Sequence, residues 1–137
     1  LQLTSGTGSV DVTDVHGRAD LHSSDGDITV HGATGPLSAT SSTGSVDATG
    51  LAGSSVTAGA SDGDVDLRFV TSPNQATATS GTGSVTVGLP HASGPYQVHA
   101  TSSTGRVTTT VATDPTSPKV IHATAADGDV AIGYNPG

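Results

Sequence analysis

The chain has 137 residues, enough for one ordinary domain, with 4 basic against 12 acidic side chains and a formal net charge of −8. It has no Cys, Met or Trp, 2 Tyr and 1 Phe, which excludes a disulfide scaffold, a cysteine-based zinc or iron–sulfur centre and a core built on aromatic bulk. Arg18, Arg68, Arg106 and Lys119 are too few to give the positive footprint that nucleic acid or an anionic membrane surface requires, so neither partner is expected.

Leu, Ile, Val and Phe together make up about a fifth of the chain, at the floor for a folding sequence, and with the net charge this composition leans toward disorder. The pattern reverses that reading. A motif [T/D]-G-[S/D/R]-[V/I] recurs seven times, on Gly8, Gly26, Gly44, Gly63, Gly83, Gly105 and Gly128, in steps of 18, 18, 19, 20, 22 and 23 residues. Two and four positions after each glycine lie Val10 and Val12, Ile28 and Val30, Val46 and Ala48, Val65 and Leu67, Val85 and Val87, Val107 and Thr109, Val130 and Ile132, apolar throughout but for Thr109. Period-two alternation is the mark of a strand with one buried face. The same alternation precedes the glycine, tapering from large to small, as in Leu37-Ala39-Ser41 and Val98-Ala100-Ser102. A third apolar spot falls six or seven residues after the glycine, at Val15, Ala33, Leu51, Val70, Leu89 and Val111, and Gly17, Gly35 and Gly53 follow in the first three repeats.

These columns predict an all-β fold, a single domain over 1–137 built as a parallel β-solenoid of about seven coils with 18–23 residues per coil. The 18-residue step suggests three sides of about six residues, with the motif glycine at a tight corner. The competing reading, a meander of hairpins turning at T-G and D-G, is less favoured because like residues repeat in phase over all seven repeats. The residue before each glycine runs Thr7, Asp25, Thr43, Asp62, Thr82, Thr104, Asp127, and the residue after it runs Ser9, Asp27, Ser45, Asp64, Ser84, Arg106, Asp129. In a stack, alternation of this kind keeps carboxylates from lying about 5 Å apart. Longer excursions over 68–74, 88–95 (with His91) and 112–119 are expected to project from one edge, where loop variation would permit binding.

Candidate sites are few. The D-G-D turns offer Asp25, Asp27, Asp62, Asp64, Asp127 and Asp129 as weak calcium ligands. The G-G-x-G-x-D nine-residue calcium repeat is absent, and solvated turns are the favoured reading. His99 and His122 share an outward column on neighbouring coils without an evident third ligand, so surface histidines are favoured over a metal site. An outward Thr column lacks the regular T-x-T array of an ice-binding face. No G-x-S-x-G elbow or P-loop is present, and three aromatics with four cations do not build a polysaccharide-cleaving groove, so no catalytic residues, no enzyme activity and no cofactor are expected. Phe69, Tyr96 and Tyr134 read as coil-end packing.

The lines SGTGSVDVTDVHG, SSDGDITVHGATG and ASDGDVDL resemble the bacterial DUF4097 family of β-strand-repeat proteins, called adhesins by analogy. The segments LPHASGPYQVHATSSTGRV and IHATAADGDVAIGY resemble that family's C-terminal pattern, and the likeness covers essentially the whole chain. The resemblance implies a β-helix-like domain, often in exported or membrane-associated proteins, with no catalytic residues to carry over. The expected function is therefore a non-enzymatic structural or binding module, an extracellular or cell-surface adhesin or spacer. A glycan or protein ligand, and end-to-end self-association into filaments through open coil ends, are the alternatives. No apolar run is long enough to span a bilayer as a helix, and a chain starting at Leu1 in mid-pattern reads as a mature or excised segment whose leader or anchor lies outside it.

Overall fold

The computed structural model describes residues 2–52, 55–71, 74–90, 95–111 and 113–134, so Leu1, Gly53 and His91 lie outside the described residues. Each motif glycine sits between two strands. The strands before it are β1 (Gln2–Thr7), β3 (Ala19–Asp25), β5 (Leu37–Thr43), β7 (Ser55–Asp62), β9 (Gln75–Thr82), β11 (Gln97–Thr104) and β13 (Val120–Asp127), and they form one parallel sheet. The strands after it are β2 (Val10–Val15), β4 (Ile28–Ala33), β6 (Val46–Leu51), β8 (Val65–Phe69), β10 (Val85–Leu89), β12 (Val107–Thr109) and β14 (Val130–Tyr134), and they form a second. The result is an all-β parallel solenoid of seven rungs, each a strand pair around one glycine, joined by six connections into about six turns.

The coil has two sheet faces where the spacing suggested three. The third apolar spot belongs to the second strand, which bends one residue earlier at Asp14 (φ 55°), Gly32 (φ 82°) and Gly50 (φ 66°). A left-handed residue there adds one to the alternation and swings Val15, Ala33 and Leu51 back into the core. The fourth repeat lacks this bend. Its alternation runs straight through Val65, Leu67 and Phe69, so Phe69 is fully buried opposite Leu51 and Val70, expected inside, is 59% exposed. Phe69 and Tyr96 are thus core residues and not coil-end packing, while Tyr134 is half-buried against the core.

The interior is narrow and filled by rows of Val, Leu, Ile and Ala from both sheets. Stacking in register places like on like, as in Leu37↔Val56, Ala39↔Ala58 and Ala58↔Ala78. A thin tube needs no aromatic bulk, which is how a chain so poor in large apolar residues still folds.

The order of the last two rungs differs from the order of the chain. β13 lies between β9 and β11, and β14 lies between β10 and β12. The chain leaves the fifth rung, skips one level to make β11 and β12, then returns through 110–119 to fill the gap. That return loop is pinned to the segment entering β11: Asp114 N–H donates to the Tyr96 carbonyl at 2.8 Å, and Ser117 Oγ donates to the Pro95 carbonyl at 2.8 Å. Lys119 Nζ stands 5.7 Å from the centre of the buried Tyr96 ring. Asp114 in turn accepts from the Thr116 amide and hydroxyl, which hold its carboxyl below the usual range. The strand that ends the described chain is therefore interior, and among the described strands the outer rungs are β1–β2 and β11–β12. Val107 on β12 is 41% exposed, because it has a neighbour on one side alone.

In this order β11 pairs with β13 and β12 with β14, and among the described strands neither has a second neighbour. Removing residues 113–137 should therefore strip two rungs. Hydrogen exchange on the shortened chain should find the amides of 97–109 unprotected while those of β3 to β8 stay protected. Retained protection in 97–109 would contradict the exchanged order.

Candidate functional site

The corner column is the most regular feature of the molecule. Gly8 N–H donates to the Asp25 carbonyl at 2.8 Å, Gly26 N–H to Thr43 at 2.8 Å and Gly44 N–H to Asp62 at 2.9 Å, and this chain of bonds continues to Gly128 N–H on Thr104 at 3.1 Å. The glycine carbonyls point along the stack, each under the Cα of the next glycine. A Cβ at Gly44 would lie 2.2 Å from the Gly26 carbonyl oxygen, whereas a Cβ at Gly8, on an outer rung, would meet nothing within 4 Å. Both residues have positive φ, 135° and 118°. Gly8→Ala should cost about 1–2 kcal/mol through backbone strain. Gly44→Ala adds a clash with main chain and should cost more than about 4 kcal/mol in chemical unfolding. Equal losses would refute the carbonyl stack.

Three positions before each glycine lies a small inward residue, Ser or Ala. In the sequence this column reads as a taper alone; the structure gives its serines a bonding role. Ser41 Oγ donates to the Gly26 carbonyl at 3.0 Å, Ser80 to Gly63 at 2.7 Å and Ser102 to Gly128 at 2.7 Å, with a longer Ser23 contact to Gly8 at 3.4 Å. Ser23, Ser41 and Ser80 are fully buried, so the hydroxyl is admitted to the core because it satisfies the glycine carbonyl of the neighbouring rung.

The aspartates of the D-G-D turns lie on the rungs of β3, β7 and β13. In stacking order the residue before the glycine runs Thr7, Asp25, Thr43, Asp62, Thr82, Asp127, Thr104, and the residue after it Ser9, Asp27, Ser45, Asp64, Ser84, Asp129, Arg106. The alternation, broken in the chain at Thr104, is complete in space. Successive D-G-D turns are thus held two strand spacings apart, about 10 Å. The carboxylates after the glycine bind rung to rung. Asp27 Oδ1 accepts the Ser45 amide at 2.9 Å, Asp64 Oδ1 the Ser84 amide at 2.8 Å and Asp129 Oδ1 the Arg106 amide at 2.9 Å. Each supplies an acceptor where the corner interrupts the sheet ladders. Asp127 Oδ1 also accepts from the Thr104 hydroxyl. Thr43→Asp would place carboxylates on three consecutive rungs, costing about 1 kcal/mol per new neighbour. The loss in melting stability should shrink in about 1 M salt. A loss equal to that of an added Asp at an isolated surface position would refute charge spacing as the reason for the pattern.

His99 and His122 do meet, on the exposed outer face of the first sheet, with ring centres 5.0 Å apart and planes 25° off parallel. Gln97 Nε2 is 3.2 Å from His99 Nε2. Among the described residues, no cluster of three or more His, Cys, Asp or Glu side chains has metal-binding geometry, here or at the D-G-D turns.

The outer face of the second sheet carries a depression of about 300 Å³ that no sequence motif marks. Outward positions three and five after the glycine are Asp66 and Arg68 on β8, Thr86 and Gly88 on β10, Ala131 and Gly133 on β14, and Thr108 and Thr110 on β12 and just beyond it. Thr86, Gly88, Ala131 and Gly133 provide a floor of small residues, between a charged wall and a hydroxyl wall. Arg68 Nε stands 3.7 Å from Asp66 Oδ1, an ion pair too long for a hydrogen bond, and that oxygen is buried with no hydrogen-bond donor. Burial pushes the Asp66 carboxyl up from its ordinary range, Asp47 and Asp64 push the same way, and Arg68 opposes them.

A protein-family model described as Toastrack DUF4097 matches residues 1–133. No curated protein and no solved structure matches the chain.

Proposed function

The chain belongs to the Toastrack DUF4097 family, and from that premise we propose that it is a non-enzymatic structural and binding module, an exported or cell-surface spacer or adhesin. One observation carries the reading: two parallel ladders run through all seven rungs, with a single register shift between β6 and β8, and side-chain bonds at the corner are spent on holding rung to rung. Such a body is stiff along its axis and presents two flat faces and an edge of connections, the geometry of a spacer that displays surface. The acidic charge favours solubility of so flat a body. The longer connections after β8, β10 and β12 all leave the same edge, where sequence can vary without disturbing the ladders.

The location is tested by fractionating cells of the source organism and probing with an antibody raised to residues 1–137. Recovery in the secreted or surface fraction, with loss of signal when intact cells are treated with protease, is the expected result. Confinement to the cytosol overturns the reading.

A further inference from the structure

We propose that the slot on the outer face of the second sheet, between β8 and β12, is a binding site for a neutral sugar ring, one hexopyranose unit of a glycan. The proposal goes beyond the surface-module reading and borrows from it only the setting in which a glycan would be met.

The slot exists because of the strand order. In chain order β12 would sit beside β10, and Thr108 and Thr110 would stand directly against Thr86 and Gly88. The exchange of the last two rungs inserts β14 there instead, and β14 brings Ala131 and Gly133 to the outward positions. The walls are thereby three strand spacings apart, about 14 Å. The volume of about 300 Å³ is at the small end of ligand sites, which run from about 300 Å³ upward.

The lining selects the chemistry. The floor is main chain, the Ala131 methyl, two glycines and the short Thr86 side chain, largely apolar and suited to the C–H face of a saturated ring. Asp66 offers a carboxylate acceptor and Arg68 a donor, side by side on one wall; from the other the Thr108 hydroxyl can give and accept, and the Thr110 hydroxyl, which donates to the Ile132 carbonyl at 3.3 Å, can accept. An edge of alternating donors and acceptors is what ring hydroxyls present. The buried Asp66 oxygen has no donor of its own; a small shift of the carboxylate would let a ligand hydroxyl supply one. Asp47 and Asp64 flank Asp66, so an anionic ligand meets a negative surround, and the single opposed pair leaves no net charge in the slot to hold an ion. A neutral polyol ring matches all of these features together.

The test is titration of the isotope-labelled intact chain with methyl α-glucopyranoside, methyl β-galactopyranoside, N-acetylglucosamine and, as the anionic arm, glucuronate, followed by amide shifts. At least one neutral sugar should shift amides in 86–88, 108–110 and 131–133 with millimolar affinity, and glucuronate should bind more weakly. Ala131→Phe fills the slot from an exposed, outward position and should weaken binding more than about tenfold with an unchanged fold. Asp66→Asn, which keeps the shape and removes the acceptor charge, should weaken it as well. No shift with any neutral sugar, shifts confined to another face, full binding by both variants, or tighter binding of glucuronate each overturns the assignment. None of these outcomes bears on whether the protein reaches the cell surface, so the two proposals fail separately.

Discussion

The fold depends on one contact, repeated at every level: a glycine carbonyl aimed at the place where the next glycine's side chain would be. With 2.0–2.3 Å between that oxygen and a would-be Cβ at Gly26, Gly44, Gly63 and Gly83, successive rungs can stack at the corner only if each rung laid on another keeps the same residue. The small column three residues earlier follows from it. A carbonyl turned along the axis needs a donor, and the Ser hydroxyl beside it is near enough and small enough to serve. The aspartate after the glycine follows as well, because the corner leaves amides outside the ladders, and a carboxylate from the neighbouring rung takes one. Three columns that look like composition bias are one bonding scheme.

Charge then limits how often that scheme can use a carboxylate. Aspartate on each rung would stack like charges at the strand spacing, so the column alternates with Thr and Ser. The rule is strict in space and not in sequence. Thr82 is followed in the chain by Thr104, but in the stack by Asp127, and the exchange of the last rungs is what restores the order. The stacking preferences of the corner and the topology of the chain agree, and each accounts for an irregularity in the other.

Much of this was legible. The glycine period, the inward columns and the parallel stacking follow from spacing, because in-phase repeats can bury their faces only by lying on one another. The His99–His122 contact was legible for the same reason. What was not legible traces to three physical facts. A left-handed residue inside a strand, as at Gly32 and Gly50, looks in sequence like a turn between strands and so suggested a third side. The loss of that bend at Arg68 moved Phe69 inward and Val70 outward. The slot depends on which strand lies between which, and no periodicity carries that; the broken alternation at Thr104 was the one available sign.

The interior position of β13 and β14 also bears on how the molecule is made. A solenoid whose rungs follow chain order can zip up behind the ribosome or a translocation pore, each new rung finding its template already in place. Here that vectorial process runs only as far as β9 and β10. The segment that becomes β11 and β12 emerges before the surface it needs, and must wait, unpaired, for β13 and β14 to slide in beneath it. The β13–β14 segment therefore acts as a keystone: the five rungs of β1 to β10 accrue singly, and the rungs of β11–β12 and β13–β14 close as a single event.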